Sequence, residues 1–109
     1  MAQVPELSPT AFIERWPDYG HTVTLLDVRE PDELERAAVT GAVSIPMREV
    51  PERVAEMDRT KPIVVMCRSG ARSRVVAQYL RENGFENVYN LAGGIDAWSL
   101  QVDSSIPRY

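Results

Sequence analysis

The 109-residue chain contains very little cysteine and histidine: Cys67 and His21 are the only residues of each type. One cysteine excludes an internal disulfide and a cysteine-rich metal cage, and one histidine leaves few zinc ligands, so we predict neither a metal nor a cofactor. Long apolar runs are also missing, since no stretch approaches the roughly 20 residues of a membrane helix. The first residues lack the cationic start and apolar run of a secretory signal. We therefore expect a cytoplasmic protein with no membrane partner.

Basic residues are too few for a nucleic-acid-binding surface. The net charge is −4, and general affinity for nucleic acid or anionic membranes depends on clustered lysine and arginine. One short segment is an exception, because residues 67–74 hold three arginines and no acid. The hydrophobic content of 44% is sufficient for one core, and the length predicts a single domain over residues 1–109.

Short apolar runs alternate with helical segments along the chain. This alternation is typical of an α/β fold, and we predict a parallel sheet of about five strands with helices on both faces. The predicted strands are 23–28, 42–45, 63–66 and 87–91, with a short edge strand near Val4, and the predicted helices are 10–16, 32–37, 50–57, 72–83 and 95–99. Ser8 is the expected cap of the first helix, Pro31 suits the first position of the second, and Gly84 ends the fourth.

The segment 67–73, Cys-Arg-Ser-Gly-Ala-Arg-Ser, runs from the end of a buried strand into the start of a helix. Its successive backbone N–H groups are able to form an anion-binding nest, and Gly70 permits the tight curvature. Unpaired amides, a helix N-terminus and nearby guanidinium groups all favour a thiolate, so we expect a lowered pKa for Cys67. Two plainer interpretations stay open: Cys67 as a small buried hydrophobic residue, and Arg74 as part of a solvated surface.

Four segments together resemble the rhodanese family of sulfurtransferases in order and spacing. They are the loop 67–73, Leu-Asp-Val-Arg-Glu-Pro at 26–31, Gly-Ala-Val-Ser-Ile-Pro at 41–46, and Leu-Ala-Gly-Gly-Ile-Asp-Ala-Trp at 91–98. The resemblance implies that the thiolate of Cys67 takes the outer sulfur of an anionic donor such as thiosulfate and carries it as a persulfide. It also implies that the loop amides cradle this persulfide and that Arg68 and Arg72 orient the donor. The implied cradle consists of Arg68, Ser69, Gly70, Ala71, Arg72 and Ser73.

Asp27 and Arg29 match a pair that lies beside the active loop in the family, and we assign them a supporting role. For Arg29 two interpretations remain: a salt bridge that fixes the loop geometry, or direct contact with a donor or partner. Glu33 is a departure from two-domain thiosulfate sulfurtransferases, which often carry a cation at this position. An acid at the mouth of the site would weaken anion binding, which argues against efficient use of free thiosulfate.

The lone cysteine also restricts the acceptor, because a persulfide on Cys67 finds no second thiol within the chain. The acceptor must be a small thiol, cyanide or a partner protein. Residues 97–109 resemble the ends of rhodanese domains fused to enzymes that adenylate sulfur-carrier proteins, which implies a carrier of that kind as acceptor.

Two other functions compete with sulfur transfer. One is a non-catalytic module that binds a partner or an anion. The other is a cysteine-loop phosphatase or arsenate reductase, whose loops resemble Cys-x5-Arg. Here only four residues separate Cys67 from Arg72, and the shorter cradle suits a sulfur atom better than a phosphoryl group.

Overall fold

The computed structural model describes residues 3–109, and five parallel strands form its sheet. The strands are β1 (Glu6–Leu7), β2 (Thr24–Asp27), β3 (Val43–Ser44), β4 (Ile63–Met66) and β5 (Val88–Leu91), and their order across the sheet is β1-β5-β4-β2-β3. The predicted α/β class and strand number are confirmed, and the edge strand expected near Val4 lies at β1 beside β5. β4 therefore lies at the centre of the sheet, between β2 and β5.

Within residues 3–109, five α-helices flank the sheet. They are α1 (Pro9–Arg15), α2 (Pro31–Arg36), α3 (Val50–Arg53), α4 (Ala71–Glu82) and α5 (Gly94–Gln101). The predicted helix ends are confirmed: the Ser8 hydroxyl accepts a hydrogen bond from the Ala11 amide at 3.1 Å, α2 begins at Pro31, and Gly84 follows α4 with a φ of +90°. Within residues 3–109, none of the helices combines the length and apolar character needed to cross a membrane.

Side-chain alternation along β4 divides the core into two layers, because successive residues of a strand point to opposite faces. Ile63 and Val65 belong to the cluster that contains Val76 and Leu80 of α4. Val64 and Met66 belong to the opposite cluster, which contains residues of α1 and α5. All four β4 side chains are buried, as expected for a central parallel strand.

The prediction of one continuous helix over 50–57 is wrong. The segment contains only the single α-helical turn α3, between the 3-10 turns Met47–Glu49 and Val54–Glu56. Pro51 does not interrupt the segment, because it lies in the first turn of α3, where its missing N–H would have no partner within the helix. The α-helix ends at Arg53, which leaves helical geometry with φ −112° and ψ 4°.

A buried ion pair lies just beyond the carboxyl end of β2. The Arg29 guanidinium donates to the Asp27 carboxylate at 2.7 Å, and their side chains are 0% and 1% exposed. Arg29 also donates to the Ala37 carbonyl and to the Tyr109 hydroxyl, each at 2.8 Å. Burial alone lowers the pKa of Arg29, but the bonds to Asp27 and Tyr109 outweigh it, so the pKa is raised overall. The guanidinium therefore stays charged inside the protein, where protein groups replace the hydrogen bonds that water would otherwise make to it.

Replacement of Asp27 by asparagine should destabilise the protein strongly, because it leaves the Arg29 charge buried without its counter-ion. We expect the free energy of unfolding to fall by about 3 to 5 kcal/mol, measured by urea denaturation. The double variant Asp27→Asn/Arg29→Met is the control, since it removes both charges and should be more stable than the single variant. Equal losses in the two variants would contradict this account of the pair.

Candidate active site

Cys67 lies immediately beyond the carboxyl end of the central strand β4, where open α/β sheets bind their ligands. Its loop is held by the start of α5: the Ile95 amide donates to the Cys67 carbonyl at 2.9 Å, and the Asp96 amide donates to the Arg68 carbonyl at 3.1 Å. The first amides of a helix have no partner within the helix, so the loop satisfies two of them. The start of α5, which is distant in sequence, thus fixes the main chain around the cysteine.

The contact between loop and helix requires glycine at position 94. Gly94 has a φ of +60°, and a Cβ atom built on it would overlap the carbonyl oxygens of Cys67 and Arg68. The positive φ is one reason for glycine at this position, because other residues rarely adopt that backbone conformation. The structure adds close approach of two backbones, which is a second reason for glycine at that position.

Asn90 supports the active loop through a hydrogen bond from β5, and the sequence analysis did not predict this role. It is fully buried on β5, and its Nδ2 donates to the Gly70 carbonyl at 3.0 Å and to the Glu6 carboxylate at 3.1 Å. Its Oδ1 is buried without a hydrogen-bond partner among the described residues. A polar residue inside an apolar strand was the available signal, because burial of an amide is costly unless the group makes a specific contact.

The loop turns its polar groups toward the sulfur of Cys67, which is 1% exposed. The Gly70 amide donates to Sγ at 3.1 Å, and the Ser73 hydroxyl donates at 3.3 Å. Burial raises the pKa of the thiol, but the Ser73 hydroxyl and the backbone amides of Ser73, Gly70 and Ser69 outweigh it, so the pKa of Cys67 is lowered overall. The expected direction is therefore found, with the main contribution from hydrogen bonds rather than from the arginines.

The three arginines near the cysteine are not equally available to a ligand. Arg72 makes two hydrogen bonds to the Glu33 carboxylate, at 2.6 and 2.8 Å. Arg74 pairs with Glu6 at 3.0 Å, with its side chain 59% exposed. Arg68 stacks over the Tyr109 ring at 4.8 Å, and it forms no ion pair among the described residues. The sequence analysis assigned the donor anion to Arg68 and Arg72, but the structure leaves only Arg68 without a carboxylate partner.

Arg29 adopts the salt-bridge arrangement, the first of the two interpretations given above. Its side chain is fully buried, so no part of the guanidinium faces a pocket that a donor might enter. Its link to the site is indirect, because Tyr109 accepts a hydrogen bond from Arg29 and donates one to Glu33, both at 2.8 Å. Nothing in the sequence pattern pointed to Tyr109.

No group of three or more His, Cys, Asp or Glu side chains within residues 3–109 is arranged to hold a metal ion. The polar groups of the site converge on one sulfur atom instead. They are backbone amides and one hydroxyl, which suit a thiolate and a small anionic or sulfur-bearing ligand.

Comparison with known proteins agrees with this geometry. The rhodanese-like domain model matches residues 9–101, and the chain therefore belongs to the rhodanese-like family. A sulfurtransferase of Allochromatium vinosum is 36% identical over 96 residues, which cover 88% of this chain and 89% of the relative. The crystal structure of a rhodanese-related protein from Thermoplasma volcanium superposes with a TM-score of 0.79 at 28% identity, covering 90% of this chain and 93% of that one.

Some relatives are much longer than this chain. The chloroplastic rhodanese-like/PpiC domain-containing protein 12 of Arabidopsis thaliana is 41% identical over 97 residues, but the match covers 85% of this chain and only 32% of the relative. The sulfurtransferase relatives of similar length support sulfur transfer as the general chemistry of the family site.

Substitution of Gly94 by alanine should displace the active loop. A positive φ alone costs a non-glycine residue about 1 to 2 kcal/mol, and here the Cβ also collides with two carbonyls of the loop. Gly20→Ala is the matched control, because its φ is +95° but its Cβ meets only the Gly41 oxygen at 3.8 Å. We expect urea denaturation to show a larger loss of stability for Gly94→Ala than for Gly20→Ala, and an equal loss would argue against the close contact.

Substitution of Ser73 by alanine should raise the pKa of Cys67, because it removes a hydrogen bond to the sulfur and leaves the burial of the thiol unopposed by that group. The thiolate fraction at neutral pH should fall, and a titration of thiolate absorbance in the ultraviolet measures it. Ser69→Ala removes a hydroxyl from the same loop but retains the contributing backbone amide. An upward shift of similar size in both variants would show that the Ser73 hydroxyl has no special effect.

Proposed function

We propose that the protein is a sulfurtransferase in which Cys67 carries sulfane sulfur as a persulfide. The observation that supports this most strongly is the position of Sγ within hydrogen-bond range of the Gly70 amide and the Ser73 hydroxyl, in a loop of polar donors at the end of β4. The same donors stabilise a thiolate before the reaction and an anionic persulfide after it. The preference for sulfur transfer over a plain structural cysteine rests on this arrangement.

The proposed reaction is a displacement at sulfur. The Cys67 thiolate attacks the outer sulfur of the donor, a new S–S bond forms, and the donor's own bond to that sulfur breaks. The electron pair leaves on sulfite when the donor is thiosulfate, or on a thiolate when the donor is a persulfide. Because Cys67 is 1% exposed, the donor reaches it through its terminal sulfur, and the loop amides around Arg68, Ser69, Gly70, Ala71, Arg72 and Ser73 receive the transferred atom.

Discharge of the persulfide needs a second molecule. Cys67 is the only cysteine of the chain, so the acceptor is an external thiol, cyanide in an assay, or a sulfur-carrier protein. A cytoplasmic location suits this scheme, since thiols stay reduced there and are able to accept the sulfur.

Intact mass spectrometry tests the proposal directly. Incubation with a sulfur donor should add the mass of one sulfur atom to the wild-type protein, and a reducing agent should remove it. Cys67→Ser is the matched control and should gain nothing. If the wild-type protein gains no sulfur from thiosulfate or from a thiol persulfide, the proposal is wrong, and a domain that only binds a partner or an anion becomes the better hypothesis.

A further inference from the structure

The carboxylate of Glu33 is the most densely bonded acid at the edge of the site. Its Oε1 accepts from Arg72 at 2.6 Å and from the Glu30 amide at 3.1 Å. Its Oε2 accepts from Arg72 at 2.8 Å and from the Tyr109 hydroxyl at 2.8 Å. A carboxylate with four donors has no freedom to turn away from the arginine, so the two-pronged contact with Arg72 is fixed.

The buried ion pair of Asp27 and Arg29 supports this contact through Tyr109. The Tyr109 hydroxyl can donate to Glu33 because it accepts from Arg29, and Arg29 is held by Asp27 inside the protein. Arg29 also donates to the Glu33 carbonyl at 3.3 Å. A continuous chain of hydrogen bonds thus runs from the core to the active loop, through Asp27, Arg29, Tyr109, Glu33 and Arg72. Only Arg72, whose side chain is 37% exposed, borders the solvent to a large extent.

The pair alters the charge that a donor meets. Arg72 is near enough to Cys67 for the thiolate to contribute to the raised pKa of the arginine, yet its charge is neutralised by Glu33. Arg68 remains as the loop guanidinium without an ion pair among the described residues. Thiosulfate is a dianion and releases a dianion, so its reaction with a thiolate concentrates three negative charges. In a hydropersulfide, RSSH, the reacting S–SH group is uncharged, so only one negative charge lies on the reacting sulfur atoms throughout the transfer.

We propose that Glu33 is a positioning residue for donor selectivity: by holding Arg72, with Tyr109 behind it, Glu33 makes the site select hydropersulfides of thiols over thiosulfate. This inference rests on the proposed sulfur transfer and assigns it a substrate class. In the favoured step the Cys67 thiolate bonds to the terminal sulfur of RSSH, the RS–SH bond breaks, and RS⁻ leaves with the electron pair. The proton stays on the transferred sulfur during the transfer and then passes to solvent, which leaves the anionic persulfide described above. No external oxidant or reductant is consumed.

The arrangement persists over the working pH range of a cytoplasmic protein. The hydrogen bonds from Arg72 oppose the effect of burial and, with the Tyr109 and Glu30 bonds, lower the pKa of Glu33 to about 2. Burial raises the pKa of Tyr109, so its hydroxyl keeps the proton that it donates to Glu33. The contact between Glu33 and Arg72 should therefore not change with pH between about 6 and 8. The two donors are compared at one fixed pH, because a hydropersulfide itself loses its proton as the pH rises.

The decisive experiment compares two donors in the same protein. Single-turnover formation of the Cys67 persulfide is followed by intact mass with thiosulfate and with glutathione persulfide, in the wild-type protein, Glu33→Gln and Tyr109→Phe. We expect the wild type to react faster with glutathione persulfide. Glu33→Gln should raise the rate constant for thiosulfate roughly tenfold, the effect of one unit charge at close range, and change that for glutathione persulfide by less than about twofold. Tyr109→Phe should produce a smaller shift in the same direction.

Glu56→Gln is the matched control, because it removes a carboxylate paired with Arg53 on the exposed surface and should leave the donor ratio unchanged. The ratio of the two rate constants is the critical readout, since partial misfolding lowers both rates together. If wild type reacts with both donors and neither Glu33→Gln nor Tyr109→Phe moves the ratio, the selectivity inference is wrong and the sulfurtransferase proposal stands. If wild type reacts with neither donor, the sulfurtransferase proposal itself fails.

Discussion

The buried ion pair between Asp27 and Arg29 is the interaction on which the surroundings of the site depend. Removal of a guanidinium from water is costly, and the cost is offset only when every donor finds an acceptor of good geometry. Here the acceptors come from the end of β2, from the Ala37 carbonyl beyond α2, and from Tyr109. The Arg29 charge therefore fixes three segments near the carboxyl ends of the strands, where Cys67 also lies. Without it, Tyr109 would lose the partner that orients its hydroxyl toward Glu33.

The nucleophile itself depends on a balance between burial and local dipoles. Burial of Cys67 favours the neutral thiol, whereas the Gly70 amide and the Ser73 hydroxyl favour the thiolate, and the second effect is the larger. These donors are effective because the loop cannot relax: Asn90 holds the Gly70 carbonyl from below, and the first amides of α5 hold the loop carbonyls from the side. A preorganised cradle of this kind needs no reorganisation when an anionic persulfide replaces the thiolate. Since the cradle is mostly main chain, selectivity among donors has to arise from the charges around it.

Local features of the structure followed well from the sequence, because they are set by nearby residues. The strand at 63–66, the cap of α1 by Ser8 and the end of α4 before Gly84 depend on hydrophobic patterning and on short-range hydrogen bonds. The prediction for 50–57 failed because the apolar pattern continues past Arg53, where the backbone leaves helical geometry. Glu33 was recognised as an unusual acid near the site, but its bond to an arginine 39 residues away was not foreseeable from spacing.

The sequence by itself determined the α/β architecture, the place of Cys67 at the end of a buried strand, and the loop of small and basic residues after it. These properties follow from periodicity and from local backbone chemistry, which act within a few residues. Only the tertiary structure decided how the charges are paired: Glu33 neutralises Arg72, Tyr109 spans 76 residues to reach Glu33, and Arg68 alone of the loop arginines lacks an ion pair among residues 3–109. The physical reason is that electrostatic interactions depend on distance in space, and the parallel sheet brings together the strand ends that the sequence keeps far apart.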